Sequence, residues 1–163
     1  MKRQRTNSAP ARRAKRPIDK TLRNVSYTAI GSVQKETELY PPATFPGTIT
    51  GLRWDIAICR DGGTAPNRGF IKWAIVVVPQ GQNGANTIAS SDTSTLYNPE
   101  QNVLAFGSFV STTSPTNAQP LLVTGSTKSM RKLKAGDKLS FIAIGSATET
   151  HSLVGTVQFF IKT

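Results

Sequence analysis

The residues of this chain whose types and spacing point most clearly to a chemistry are its lysines and arginines. Nine of them fall within the first 23 positions: Lys2, Arg3, Arg5, Arg12, Arg13, Lys15, Arg16, Lys20 and Arg23. One acid, Asp19, stands among them, so this segment carries +8 of the chain's +11 and the rest only +3. Cations at this density neutralise phosphates and release counterions, with no sequence preference and a strong dependence on salt. The segment has no aromatic residue and few aliphatic ones (Ile18, Leu22). It therefore cannot bury enough apolar surface to offset the entropy of ordering it. The composition predicts a disordered basic nucleic-acid-binding arm over residues 1–23 and one domain over residues 24–163. Ala11–Pro17 (ARRAKRP) would also serve nuclear import. A membrane partner fits less well. The arm has no apolar face, and Lys2 stands where myristoylation requires glycine. The longest apolar run, Ala74–Val78, is far too short to span a bilayer. No apolar stretch follows the basic start as a secretory signal would, so Asn24-Val25-Ser26 is read as a chance glycosylation sequon.

Catalytic chemistry finds little support. The only histidine is His151, close to Glu149 in a predicted loop, and it reads as a solvated loop residue. A zinc site needs three or four nitrogen or sulfur ligands, and His151 and Cys59 are the only two in the chain. Any serine nucleophile would depend on His151 as its base. Cys59 has no partner for an intramolecular disulfide. It shares a strand face with Arg53 and Asp55 and reads as an inert structural thiol. No phosphate-cradling glycine loop is present, and Gly81-Gln82-Asn83-Gly84 is a plain loop. Asp61, Asp92 and Asp137 read as turn formers, with a Ca²⁺ ion shared between subunits as their less favoured use. The expectation is a protein that is not an enzyme, with no catalytic residue, no metal site and no cofactor.

The elements behind the arm are strands. Charge thins out, and Thr, Ser, Val, Ile, Gly and Phe alternate in short runs bounded by Gly, Pro, Asn and Asp clusters. Val25–Leu39 reads as a first run, ended by Tyr40-Pro41-Pro42. In Thr48–Cys59, Leu52, Trp54, Ile56 and Ile58 point one way and Arg53, Asp55, Ala57 and Cys59 the other. Gly69–Val78 is apolar on both faces apart from Lys72. That predicts a central strand whose second face is covered by something else in the chain or by a second subunit. Asn102–Val110, Leu121–Gly125, Lys128–Lys134, Lys138–Ser146 and Leu153–Lys162 complete about eight strands. Ala135-Gly136-Asp137 reads as a tight hairpin turn. The basic run Lys128, Arg131, Lys132, Lys134 and Lys138 reads either as a solvated edge strand or as part of an interface. Trp54 and Trp73 read as core or subunit-contact residues rather than base-stacking ones. Gln80–Glu100, with a short helical turn near Ser91–Leu96, is a long polar segment of the kind that serves as a contact surface. The fold class is all-β: an eight-stranded antiparallel jelly-roll sandwich with a disordered basic N-terminal arm.

An Arg-rich arm ahead of one all-β domain resembles the single-jelly-roll capsid proteins of small icosahedral viruses. The runs TGLRWDIAI, GFIKWAIVVVPQG, STKSMRKLKAGDKLSFIAIGS and VGTVQFFIKT look most like capsid proteins of circular single-stranded DNA viruses that encode a replication initiator, the circovirus-like group. Small satellite RNA virus coat proteins share this size and layout. The resemblance implies a shell of 60 copies tiled by the sandwich, with the arms lining its inside against a genome of single-stranded DNA in preference to RNA. The loops at Arg60–Arg68, Gln80–Glu100 and Ser111–Gln119 would meet at the symmetry axes. It also implies residence in the virion and passage through the host nucleus, with import machinery and a host-cell receptor as further partners. The alternatives are a monomeric nucleic-acid-binding β-barrel module with a basic tail and a carbohydrate-binding sandwich.

Overall fold

The computed structural model describes residues 18–62, 69–81, 102–110, 120–128, 130–146 and 150–162. They form nine strands: β1 (Ile18–Ile30), β2 (Lys35–Tyr40), β3 (Gly47–Gly62), β4 (Phe70–Val78), β5 (Val103–Val110), β6 (Leu121–Thr127), β7 (Arg131–Leu133), β8 (Lys138–Gly145) and β9 (Thr150–Lys162). One sheet has the order β1-β9-β3-β6, with β7 also paired to β3, and the other has the order β2-β8-β4-β5. All pairings are antiparallel. Apart from β4 and β5, no two consecutive strands are hydrogen-bonded to each other. The chain instead passes repeatedly from one sheet to the other, which is the jelly-roll arrangement.

Alternation decides which side chains meet between the sheets. Leu52, Ile56 and Ile58 of β3 and Leu153, Val157, Phe159 and Ile161 of β9 are buried against Ile71, Trp73, Ile75 and Val77 of β4 and Phe141 of β8. Trp73 stacks on Phe141 at 5.8 Å between ring centroids and meets Trp54 edge-on at 5.7 Å. Trp54 is half-buried and packs on the same core. Both indoles are therefore core residues. Each lies over a glycine on the neighbouring strand, Trp73 over Gly107 and Trp54 over Gly125. A Cβ on Gly107 would stand 2.7 Å from the Trp73 ring, so the bare position is what admits the indole. Tyr27 ties the sheets together: its hydroxyl donates to the Phe141 carbonyl at 2.9 Å. Burial, assisted by the nearby Glu36 charge and opposed by a hydrogen bond with Thr37, pushes its phenol up to about 12.

The second face of β4 is also buried. Ala74, Val76 and Val78 join Ile142 and Ile144 of β8 in a separate apolar cluster, with Val103 of β5 packed against it. This face is covered within a single copy of the chain, so its burial requires no subunit contact.

Several expectations are corrected. Ile18–Arg23 belongs to β1, paired residue for residue with β9 from Ile18↔Lys162 to Arg23↔Val157. The segment gains backbone hydrogen bonds rather than burial, a stabilisation that composition does not register. Val25–Leu39 is two strands in different sheets, divided at Gly31–Gln34. The turn at Gly136 (φ 87°) is real, but β7 pairs with Gly47–Ile49 of β3 while β8 lies in the other sheet. It therefore joins two sheets rather than closing a hairpin, and the division of Val25–Leu39 into β1 and β2 makes the count nine instead of eight. His151 is not in a solvated loop. It is fully buried in β9, opposite Ile30 and Arg60. The Ser91–Leu96 turn and the loop at Ser111–Gln119 lie outside the described residues, as does most of Gln80–Glu100.

Candidate nucleic-acid interface

Four basic side chains converge at one groove. Arg131, Lys132 and Lys134 come from β7 and the turn after it, and Lys162 from the end of β9. Together with Thr48, Asn102 and Met130 they line an open groove of about 810 Å³. The cross-strand register explains how. Lys132 is opposite Thr48, Thr48 is opposite Lys162, and Lys162 is opposite Ile18. These four form one row across four strands, and the arm joins the folded domain at the end of that row. β7 lies at the sheet margin, where lysines also discourage edge-to-edge pairing.

Two acids near this cluster have structural tasks. Asp137 is buried, and its carboxylate accepts hydrogen bonds from the Lys134 amide at 2.8 Å and the Gln80 amide at 3.4 Å. It fixes the turn, which is the turn-forming role expected of it. Glu36 of β2 binds Lys138 of β8 at 2.9 Å and accepts from the Ser140 hydroxyl at 2.7 Å. Burial pushes the Glu36 carboxyl up, but the hydrogen bonds from Lys138 and Ser140 and the Lys138 charge outweigh it and hold the group below its ordinary value. Arg131 donates to the Asn102 side-chain oxygen at 2.6 Å, which fixes its guanidinium along the groove.

Of the nine cations expected to bind nucleic acid, two are described. Lys20 is exposed on the outer face of β1. Arg23 is exposed too, but its Nε donates to the Leu39 carbonyl at 3.0 Å and so helps hold β1 against β2. Lys2, Arg3, Arg5, Arg12, Arg13, Lys15 and Arg16 lie outside the described residues. The sequence left Lys162 unmarked as a site residue because a single lysine ending a strand carries no signal. Its place beside Lys132 appears only once β7, β3 and β9 are laid side by side. Among the described residues no three His, Cys, Asp or Glu side chains are grouped to hold a metal. Cys59 is half-buried and free of any disulfide.

No family model matches the chain, and no curated protein matches it. Solved structures similar to it include Eiger TNF from S. frugiperda, at 13% identity over 87% of this chain and 92% of that one, with a TM-score of 0.39. Another is Desmodium yellow mottle tymovirus, at 11% identity over 96% of this chain and 94% of that one, with a TM-score of 0.35. At such values these likenesses say nothing of what this chain does. The jelly roll stands on its own strand order, and the basic groove on its own register.

Proposed function

We propose that this chain is the capsid protein of a small icosahedral virus. Sixty copies form the shell, and the Arg/Lys-rich N-terminal segment packages the genome, single-stranded DNA in preference to RNA. The observation that carries this reading is the place where β1 begins. Seven cations and no acid precede Ile18 in the sequence, and Ile18 stands in the row of Lys162 and Lys132, which supports a shared role in holding phosphates. Two further features support self-association. Edge strand β5 exposes Val110, and edge strand β6 exposes Leu122 in the row that holds Val154 of β9. Apolar side chains on sheet margins are suited to contacts between copies. One arm alone would hold nucleic acid loosely. Arrayed on the inside of a shell, many weak contacts act together and give firm retention of several hundred phosphates.

The test is removal of residues 1–17, which leaves β1 whole. Particles of the shortened chain are expected to form but to show the absorbance ratio of protein without nucleic acid. Particles that keep their full nucleic-acid content would contradict the role of the arm. The second reading, a monomeric nucleic-acid-binding module, rests on the same basic groove. It would be favoured by a sequence-selective footprint from a chain that never assembles.

A further inference from the structure

The outer face of the β1-β9-β3-β6 sheet has a composition that the arm does not explain. Alternation and register place Lys20, Leu22 and Asn24 of β1, Thr156, Gln158, Phe160 and Lys162 of β9, and Gly51, Arg53 and Asp55 of β3 on this side. Lys132 of β7 completes it. Among the described residues of this face are four cations, Lys20, Arg53, Lys132 and Lys162, and one acid, Asp55, a net +3. Asp55 neutralises part of Arg53, from whose Nε it lies 3.7 Å away, and both are solvent-exposed. Asp19, the one acid of β1, is on the opposite side of its strand, across from Ile161.

In the middle of these cations is an aromatic ring. Phe160 is opposite Lys20 on one side and Gly51 on the other. A Cβ on Gly51 would lie 3.5 Å from its Cδ2, so the ring leans over a position with no side chain. Phe160 is half-buried, whereas Phe159 beside it is wholly within the core. A phenyl group in this position contributes little to the sandwich's interior. Strand spacing sets Lys162 and Lys132 about 10 Å apart, two strands across, and puts Lys20 on the far side of the ring. Cations that track a backbone, with an aromatic face between them for bases, form the arrangement that holds single-stranded nucleic acid without sequence preference. A duplex hides its base faces and would use the charges alone.

We infer that this sheet face binds single-stranded nucleic acid, with Phe160 as a stacking platform and Lys20, Arg53, Lys132 and Lys162 against phosphates. The inference rests on the proposed function and deepens it, since it assigns part of the genome contact to the folded domain. It also gives Lys20 a partner on β9 and the arm a continuous track, because residues 1–17 join this face at Ile18.

The experiment uses the full chain and three variants: the triple Lys20→Gln/Lys132→Gln/Lys162→Gln, Phe160→Leu and Phe160→Tyr. Binding of labelled oligothymidylate and of a duplex of equal length is measured by anisotropy across a salt series. The triple variant is expected to reduce the log–log salt slope on the single strand by about 2, three phosphates at roughly 0.7 each. Phe160→Leu is expected to weaken single-strand binding about five-fold or more while leaving the duplex unchanged, and Phe160→Tyr to restore it. If the parent chain binds while all variants match it in slope and affinity, the arm alone is the site and the inference fails. If Phe160→Leu blocks particle formation and leaves oligonucleotide binding intact, Phe160 is a subunit contact and the inference fails likewise. If Phe160→Leu does not fold, the triple variant decides. Loss of all binding by the parent chain would overturn the proposed function as well, so the two failures are distinguishable.

Discussion

The two outer faces of the sandwich are opposites. On the β2-β8-β4-β5 sheet, Ala74, Val76, Val78, Ile142 and Ile144 are at most 4% exposed. On the β1-β9-β3-β6 sheet, Leu22 and Val154 are 60% and 57% exposed among lysines, threonines and glutamine. Both sheets contribute to the core between them, so the difference is not about folding the sandwich. It separates a face whose central strands β4 and β8 are buried, with exposed side chains such as Phe106 on its edge strand β5, from a face whose central strand β9 is itself open to a partner. That asymmetry, together with the start of β1 at Ile18, is the ground for proposing that a polyanion meets the β1-β9-β3-β6 side.

The sharpest way to break the comparison is to place the same charge on each outer face. Val76→Asp on the buried face is expected to lower stability by about 4 kcal/mol or more, because an unpaired carboxylate would enter an apolar cluster. Val154→Asp on the open face is expected to cost no more than about 0.5 kcal/mol. Urea midpoints at neutral pH measure both, and equal costs would remove the distinction. Next in size is Gly107→Ala, which drives a methyl into the Trp73 ring and is expected to cost about 1–3 kcal/mol by the same measurement.

Glu36→Gln removes a carboxylate that ties the edge strand β2 to β8, and a loss of about 1–2 kcal/mol is expected. The sign with pH follows from its lowered folded pKa. The stabilisation is fully present above the ordinary value of 4.5 and is lost as pH falls through the folded value. Parent and variant should therefore converge in strong acid. Tyr27→Phe, which deletes the tie between sheets, is expected to cost about 1 kcal/mol. Its phenol is raised in the folded state, so its contribution is present below pH 10 and disappears as pH rises toward 12. The smallest change is a gain. Ala29 has φ 50° where the β1–β9 register shifts between Tyr27 and Ile30. Ala29→Gly is expected to raise the thermal midpoint slightly, by up to about 1 kcal/mol in stability.

Much of this architecture was legible in the residues. The double-faced apolar run of β4 announced a strand covered on both sides, and the alternation of Leu52, Trp54, Ile56 and Ile58 gave the core face of β3 directly. What escaped was governed by pairing instead of pattern. Ile18–Arg23 looks like tail because its stabilisation is a ladder of backbone bonds to β9. The crossing at Gly31–Gln34 is hidden because the two-residue pattern of the sequence runs on through Val33 to Lys35. The turn at Gly136 is locally correct, yet nothing in it tells which sheet β7 joins. His151 was misplaced because the polar run Thr148-Glu149-Thr150 precedes it, whereas its burial comes from Ile30 and Arg60 on flanking strands. The basic groove was half visible: Arg131, Lys132 and Lys134 are a run in the sequence, but Lys162 joins them only through the sheet.

The central claim is that the arm and the open sheet face act as parts of an assembled shell. Its most direct test is sedimentation velocity of the full chain over a range of salt and pH, with electron micrographs of the same samples. The account predicts a single fast boundary of uniform closed particles whose absorbance reports packaged nucleic acid. A monomer boundary under every condition, with no particles on the grids, would contradict it.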